Sequence, residues 1–155
     1  MKTPRSWLKA SLVMTALSVF AATPAGADGL PVTPGLWKST STILVSVDPT
    51  SPGGAAPEIT TSETCISRGS QILGAEQLAG PGCSPSDISQ NEDGISFVLV
   101  CKTPEATLYG TMTAMALSGG TQTEAHMTLT GRRADGREVA ITADFSGERL
   151  GPCTS

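Results

Sequence analysis

Ile95-Ser96-Phe97-Val98-Leu99-Val100-Cys101-Lys102 is the stretch from which the architecture of this chain is read. Ile95, Phe97, Leu99 and Cys101 recur at every second position, and Val98 and Val100 between them are β-branched. A period of two places those four side chains on one face of an extended chain, whereas a helix would scatter them around its surface. Directly before it comes Asn91-Glu92-Asp93-Gly94, whose Asp-Gly pair suits the positive φ of a tight turn. Ser84–Gln90 lies on the other side of that turn and reads as a weaker strand. Together the two predict an antiparallel hairpin.

The same period continues outward. Ala106–Leu117 alternates through Leu108, Met112 and Ala114 and shifts phase at Met115, which predicts a bulge there. Gly119-Gly120 turns the chain into Thr123–Thr130, with Ala125, Met127 and Leu129 inward and Glu124, His126, Thr128 and Thr130 outward. Arg132–Arg137, containing Asp135-Gly136, reads as a hairpin tip. Glu138–Glu148 then puts Val139, Ile141, Ala143 and Phe145 inward. On the N-terminal side, Leu36–Val47 places Ile43, Val45 and Val47 on the face of Trp37. A Pro-, Gly- and Ser-rich loop over Asp48–Pro57 leads to Glu58–Ile66, which pairs back as a second hairpin. Ser67–Gly82 is irregular, with one short helix near Ala75–Ala79. No helix is long enough for a parallel crossover, so the sheet must be antiparallel. The expectation is an all-β, up-and-down meander of about seven strands, closed into a barrel or left as a half-barrel, with a two-sheet sandwich as the alternative.

Composition narrows the classes. The 155 residues carry 10 basic and 14 acidic side chains, 17 Gly and 11 Pro. Acidic balance removes the basic footprint of a nucleic-acid binder. Lys2, Arg5 and Lys9 precede the uncharged, mostly apolar Ala10–Ala22, then Pro24 and the A-x-A site Ala25-Gly26-Ala27. This is the layout of a secretory signal peptide over residues 1–27, followed by a single β domain over residues 28–155. The apolar stretch is shorter than the roughly 20 residues of a membrane span. Cleavage after Ala27 leaves 128 residues bearing 7 basic and 14 acidic groups, destined for the periplasm or the exterior.

Cys65, Cys83, Cys101 and Cys153 are even in number and expected in an oxidising compartment. Cys83 and Cys101 flank the hairpin centred on Glu92-Asp93, which favours Cys83–Cys101 and leaves Cys65–Cys153. Pairing Ile88 with Phe97 would set Cys83 against Lys102, one residue off, so the bridge needs a bulge or a Cys83 beyond the regular strand. The long-range bridge is expected to add about 3–4 kcal/mol. There is no Cys-x-x-Cys for redox work, and the spacings are too wide for zinc.

Pro34-Gly35-Leu36-Trp37, Thr64-Cys65-Ile66, Cys83, Phe97 to Cys101 and Gly147-Glu148-Arg149-Leu150-Gly151-Pro152-Cys153 occur in that order. The set resembles a family of exported proteobacterial proteins, domain of unknown function 3617, across Gly29–Cys153. This sequence departs from the pattern at Lys38, where an acidic residue is common, and in having fewer methionines. The resemblance implies a small, exported, Thr-rich β protein and brings no activity with it.

No nucleophile elbow, phosphate loop, dinucleotide fingerprint or H-E-x-x-H is present, so no enzyme activity and no cofactor is expected. His126, the only histidine, faces outward near Glu124 and reads as a solvated surface side chain. Met112, Met115 and Met127 read as packing rather than soft-metal ligands, because Met127 and His126 point to opposite faces. Arg132, Arg133 and Arg137 could grip an anionic surface, yet Asp135 and Glu138 offset them. Glu92-Asp93 is a turn pair with no second carboxylate group suited to calcium or acid–base work. Trp37, Phe97, Tyr109 and Phe145 read as core, or as the lining of an apolar pocket if the barrel is open. The expected function is therefore non-enzymatic binding of a small apolar ligand or an envelope protein. A structural or inhibitory envelope module is the alternative, and a hydrolase a more distant one.

Overall fold

A computed structural model describes residues 29–48 and 55–154 of the chain. The expected signal peptide, and residues 49–54 of the expected loop, lie outside the described residues. The strands are β1 (Leu30–Pro31), β2 (Gly35–Val47), β3 (Glu58–Ile66), β4 (Ile72–Leu73), β5 (Cys83–Gln90), β6 (Gly94–Lys102), β7 (Ala106–Leu117), β8 (Gln122–Arg133) and β9 (Glu138–Gly151). A single turn of 3-10 helix, Arg68–Ser70, and one short helix, α1 (Ala75–Ala79), lie between β3 and β5.

Seven strands form one antiparallel sheet in the order β3-β2-β9-β8-β7-β6-β5. Apart from one missing contact this is the order of an up-and-down barrel. β2 of the N-terminal hairpin pairs with the final strand β9, while β3 and β5 are left as the two edges. The sheet is therefore open along one seam. A sandwich is set aside, because all seven long strands share one sheet and only the two-residue strands β1 and β4 pair separately.

Alternation decides which face is buried. Ile95, Phe97, Leu99 and Cys101 of β6 are all buried, and so are Leu108, Met112, Ala114 and Ala116 of β7. Leu129, Val139 and Ala143 extend the same inner face onto β8 and β9. The bulge expected near Met115 is absent: β7 keeps one register with both β6 and β8 along its length. Ala114 and Ala116 are small but remain inward, and Met115 stands outward at 50% exposure. The true irregularities lie elsewhere. One extra residue enters β5 between Ser86 and Ser89, where Asp87 takes φ +50°. That bulge sets Cys83 directly opposite Cys101, and the disulfide joins them. A second bulge places Leu36 against Gly151 but Trp37 against Arg149, leaving Leu150 as the extra residue.

Strands β8 and β9 run further than the alternation predicts. Arg132 and Arg133 therefore belong to β8, and the tip is shorter than Arg132–Arg137. At the tip, Arg137 binds Asp135 through its backbone N–H and its guanidinium, at 3.1 and 2.6–2.9 Å.

The irregular segments are not a loose connection; they cap the inner face. Leu30 of β1 pairs with Leu73 of β4 and is almost fully buried. The Gln90 side chain accepts from the Gly29 N–H and donates to the Gly29 carbonyl, both at 2.8 Å, as a strand partner would. The Val32 N–H bonds to the Gln71 carbonyl at 2.8 Å and the Thr33 N–H to the Gly120 carbonyl at 2.7 Å. α1 buries Ala75 and Ala79 and packs Leu78 against the core, and the Gln77 side chain caps it by accepting from the Gly74 N–H. Burying these small apolar faces stabilises by about 25 cal/mol per Å².

Candidate functional site

Two concavities of about 360 Å³ lie on opposite faces of the sheet. The inner one lies where the cap stops short of the seam. Its apolar side is made by Leu30 and Leu73, by Leu78 of α1, and by Ala114, Ala125 and Phe145 of the sheet. Its other side is a patch of hydroxyls. Ser39 and Ser41 are inward positions of β2, and Ser62 and Thr60 face them across the β2–β3 ladder. Strands from β7 round to β3 contribute to the same cavity as the cap, which a flat sheet could not achieve. The volume and the mixture of apolar wall and few polar groups match ordinary small-molecule sites.

The outer concavity is also partly apolar, with Met115 beside Thr42, Thr113, His126 and Asp144. Cross-strand register sets Thr42, Asp144, His126 and Thr113 side by side on β2, β9, β8 and β7. His126 Nδ1 donates to Asp144 Oδ1 at 2.7 Å, with the two side chains 51% and 67% exposed. An exposed pair of this kind is worth well under about 1 kcal/mol. The hairpin tip held the information that sequence reasoning missed here. Arg132 pairs with Glu138, and following the ladder away from the tip brings His126 to Asp144.

The other candidates named from the sequence scatter. Trp37 and Phe97 are buried in the core, and Trp37 Nε1 donates to the Thr33 carbonyl at 2.9 Å. Phe145 is half-buried and borders the inner cavity. Tyr109 is neither core nor pocket: it lies on the outer face of β7 at 58% exposure, because the inward positions of that strand are the even-numbered ones. Met112 pairs with Met127 on the inner face, while Met115 faces away. Each tip arginine has a carboxylate partner: Arg132 with Glu138, Arg133 with Glu105 and Asp135, Arg137 with Asp135. Arg137 holds the Asp135 carboxyl below its ordinary range and is itself raised by that contact. Among the described residues, no three His, Cys, Asp or Glu side chains gather as metal ligands would.

The N-terminal, Cys65 and C-terminal motifs converge at one end of the sheet. Leu36 lies between Cys65 on β3 and Gly151 on β9, and the Cys65–Cys153 disulfide ties the C-terminal segment to β3 across β2. Arg149 Nε donates to the Pro34 carbonyl at 2.7 Å. The Trp37 ring lies over Gly147, where a Cβ would meet it at 3.4 Å. This clasp joins the chain ends and takes no part in the inner cavity.

The fold and cavity define a class: a small, doubly cross-linked β protein with an open-seamed sheet and a partly apolar hollow under its cap. A family model described as "Protein of unknown function (DUF3617)" matches residues 32–153, and the chain belongs to that family. No curated protein and no solved structure matches it.

Proposed function

We propose that this is an exported, non-enzymatic binding protein that holds one small apolar ligand in the inner cavity. The cavity carries the reading: a hollow of about 360 Å³, walled by Leu73, Leu78 and Phe145, at the open seam of a sheet whose inner face is packed on β6 and β7. Two disulfides fit an oxidising compartment, and no helix among the described residues is long and apolar enough to cross a membrane.

The neutral dye Nile red tests this. It should brighten on the disulfide-intact protein, and Leu78→Glu should abolish the signal while leaving the circular dichroism spectrum of the native sheet. Equal brightening by the two proteins overturns the reading. Native mass spectrometry of protein from its own host should show an added ligand mass.

One observation favours a second reading, that of an envelope interaction module. Edge strand β3 is exposed along nearly its whole length and carries no proline, lysine or bulge, whereas edge β5 has Pro85 and the Asp87 bulge. With Glu58 and Glu63 as its only charges, such an edge can add a partner's strand. Under this reading Thr61→Pro abolishes capture of a partner from envelope extracts, and unchanged capture rejects it.

A further inference from the structure

Resting on the cavity reading above, we infer that the ligand is a neutral amphipath: an aliphatic chain ending in a hydroxyl or amide, and not an ionised acid. The two sides of the cavity differ in chemistry. Leu73, Leu78 and Phe145 offer only hydrocarbon. Opposite them the β2–β3 register sets Ser39 beside Ser62 and Ser41 beside Thr60, so four hydroxyls form a compact patch on the inner face. Hydroxyls both donate and accept, which suits an alcohol or amide end.

Charge decides against an acid. Among the described residues, no Lys, Arg or His lines this cavity, and Glu124, whose backbone borders it, belongs by register to the outer face beside Met115. The next inward position of β3 beyond Thr60 is Glu58, an acid. The nearby inward arginine, Arg149, turns its Nε to the Pro34 carbonyl in the clasp and does not line the cavity. A carboxylate entering here would lose water and gain no counter-charge. A neutral end loses less and recovers hydrogen bonds from the serines and threonine.

Calorimetric titration of the disulfide-intact full-length protein with 1-octanol and with octanoate, near neutral pH where octanoate is ionised, tests the inference. Octanol should bind at least about tenfold tighter. Thr60→Lys, on the exposed edge strand, and independently Ser41→Lys, should narrow or reverse that preference by supplying the missing cation. Octanoate binding as well as octanol overturns the inference while the cavity reading stands. So does Nile red binding with neither octyl probe bound. Failure of all three probes overturns the cavity reading as well.

Discussion

A glycine at position 110 has no side chain to pack, yet it sits on the inner face of β7 between Leu108 and Met112. A Cβ there would run into the Thr128 carbonyl and reach 2.9 Å from the Leu129 Cα, both backbone atoms of β8. Neither can move without opening the β7–β8 ladder. Gly110→Ala should therefore cost about 1–3 kcal/mol, read as a lower Tm with native circular dichroism. An unchanged Tm would contradict that close approach. Trp37 makes the opposite case: its ring is buried over Gly147 and its indole N–H is satisfied, so Trp37→Ala should cost about 3–5 kcal/mol. Asp135 gives a pH signature. Its folded pKa lies below the unfolded value, near 3.8, so its contribution is full above that value and disappears as pH falls through the folded one. Asp135→Asn should lower Tm slightly at neutral pH, and the gap should vanish in strong acid. A gap that widens in acid would refute the Arg137 contact as its source. Tyr109 shows where residue reading failed. Aromatic character argued for burial, but strand phase put it outside, and phase is set by Leu108 and Met112 rather than by Tyr109 itself.

Strands are legible where alternation is long. β6, β7 and β9 show it over eight or more residues, and the short α1 lies at Ala75–Ala79, where one helix is expected in an otherwise irregular stretch. β1 and β4 are two residues each and can show no period. Bulges are harder still. The one expected at Met115 rested on local phase, whereas the real ones at Asp87 and Leu150 emerge only when two strands are counted against each other. The cysteine geometry did carry such a count, since pairing Cys83 with Cys101 called for a bulge or a Cys83 beyond the regular strand, and the bulge is what forms. Cys153→Ser removes a bridge closing 88 residues and should cost about 4 kcal/mol. Peptide mapping of that variant should still recover Cys83–Cys101. Recovery of Cys65–Cys83 instead would show that the pairing depends on order of oxidation and not on register.

For the molecule as a whole, the missing β3–β5 contact has two consequences. It makes β3 the least supported strand, and it leaves the hollow beneath the cap. Amide exchange should be slowest in β7 and β8, each paired on both sides over a packed core, and fastest in β3. Strong protection of β3 would mean that the seam closes in solution. Alternation, turn chemistry and an even set of cysteines are local properties of the chain. They suffice to specify an antiparallel β protein, most of its buried faces and its cross-links. Where the sheet stops, what covers it, which carboxylate meets His126 and which hydroxyls face Leu73 and Leu78 depend on residues far apart in the chain. Those features arise in packing, because register and curvature accumulate over all seven strands before two distant surfaces can meet.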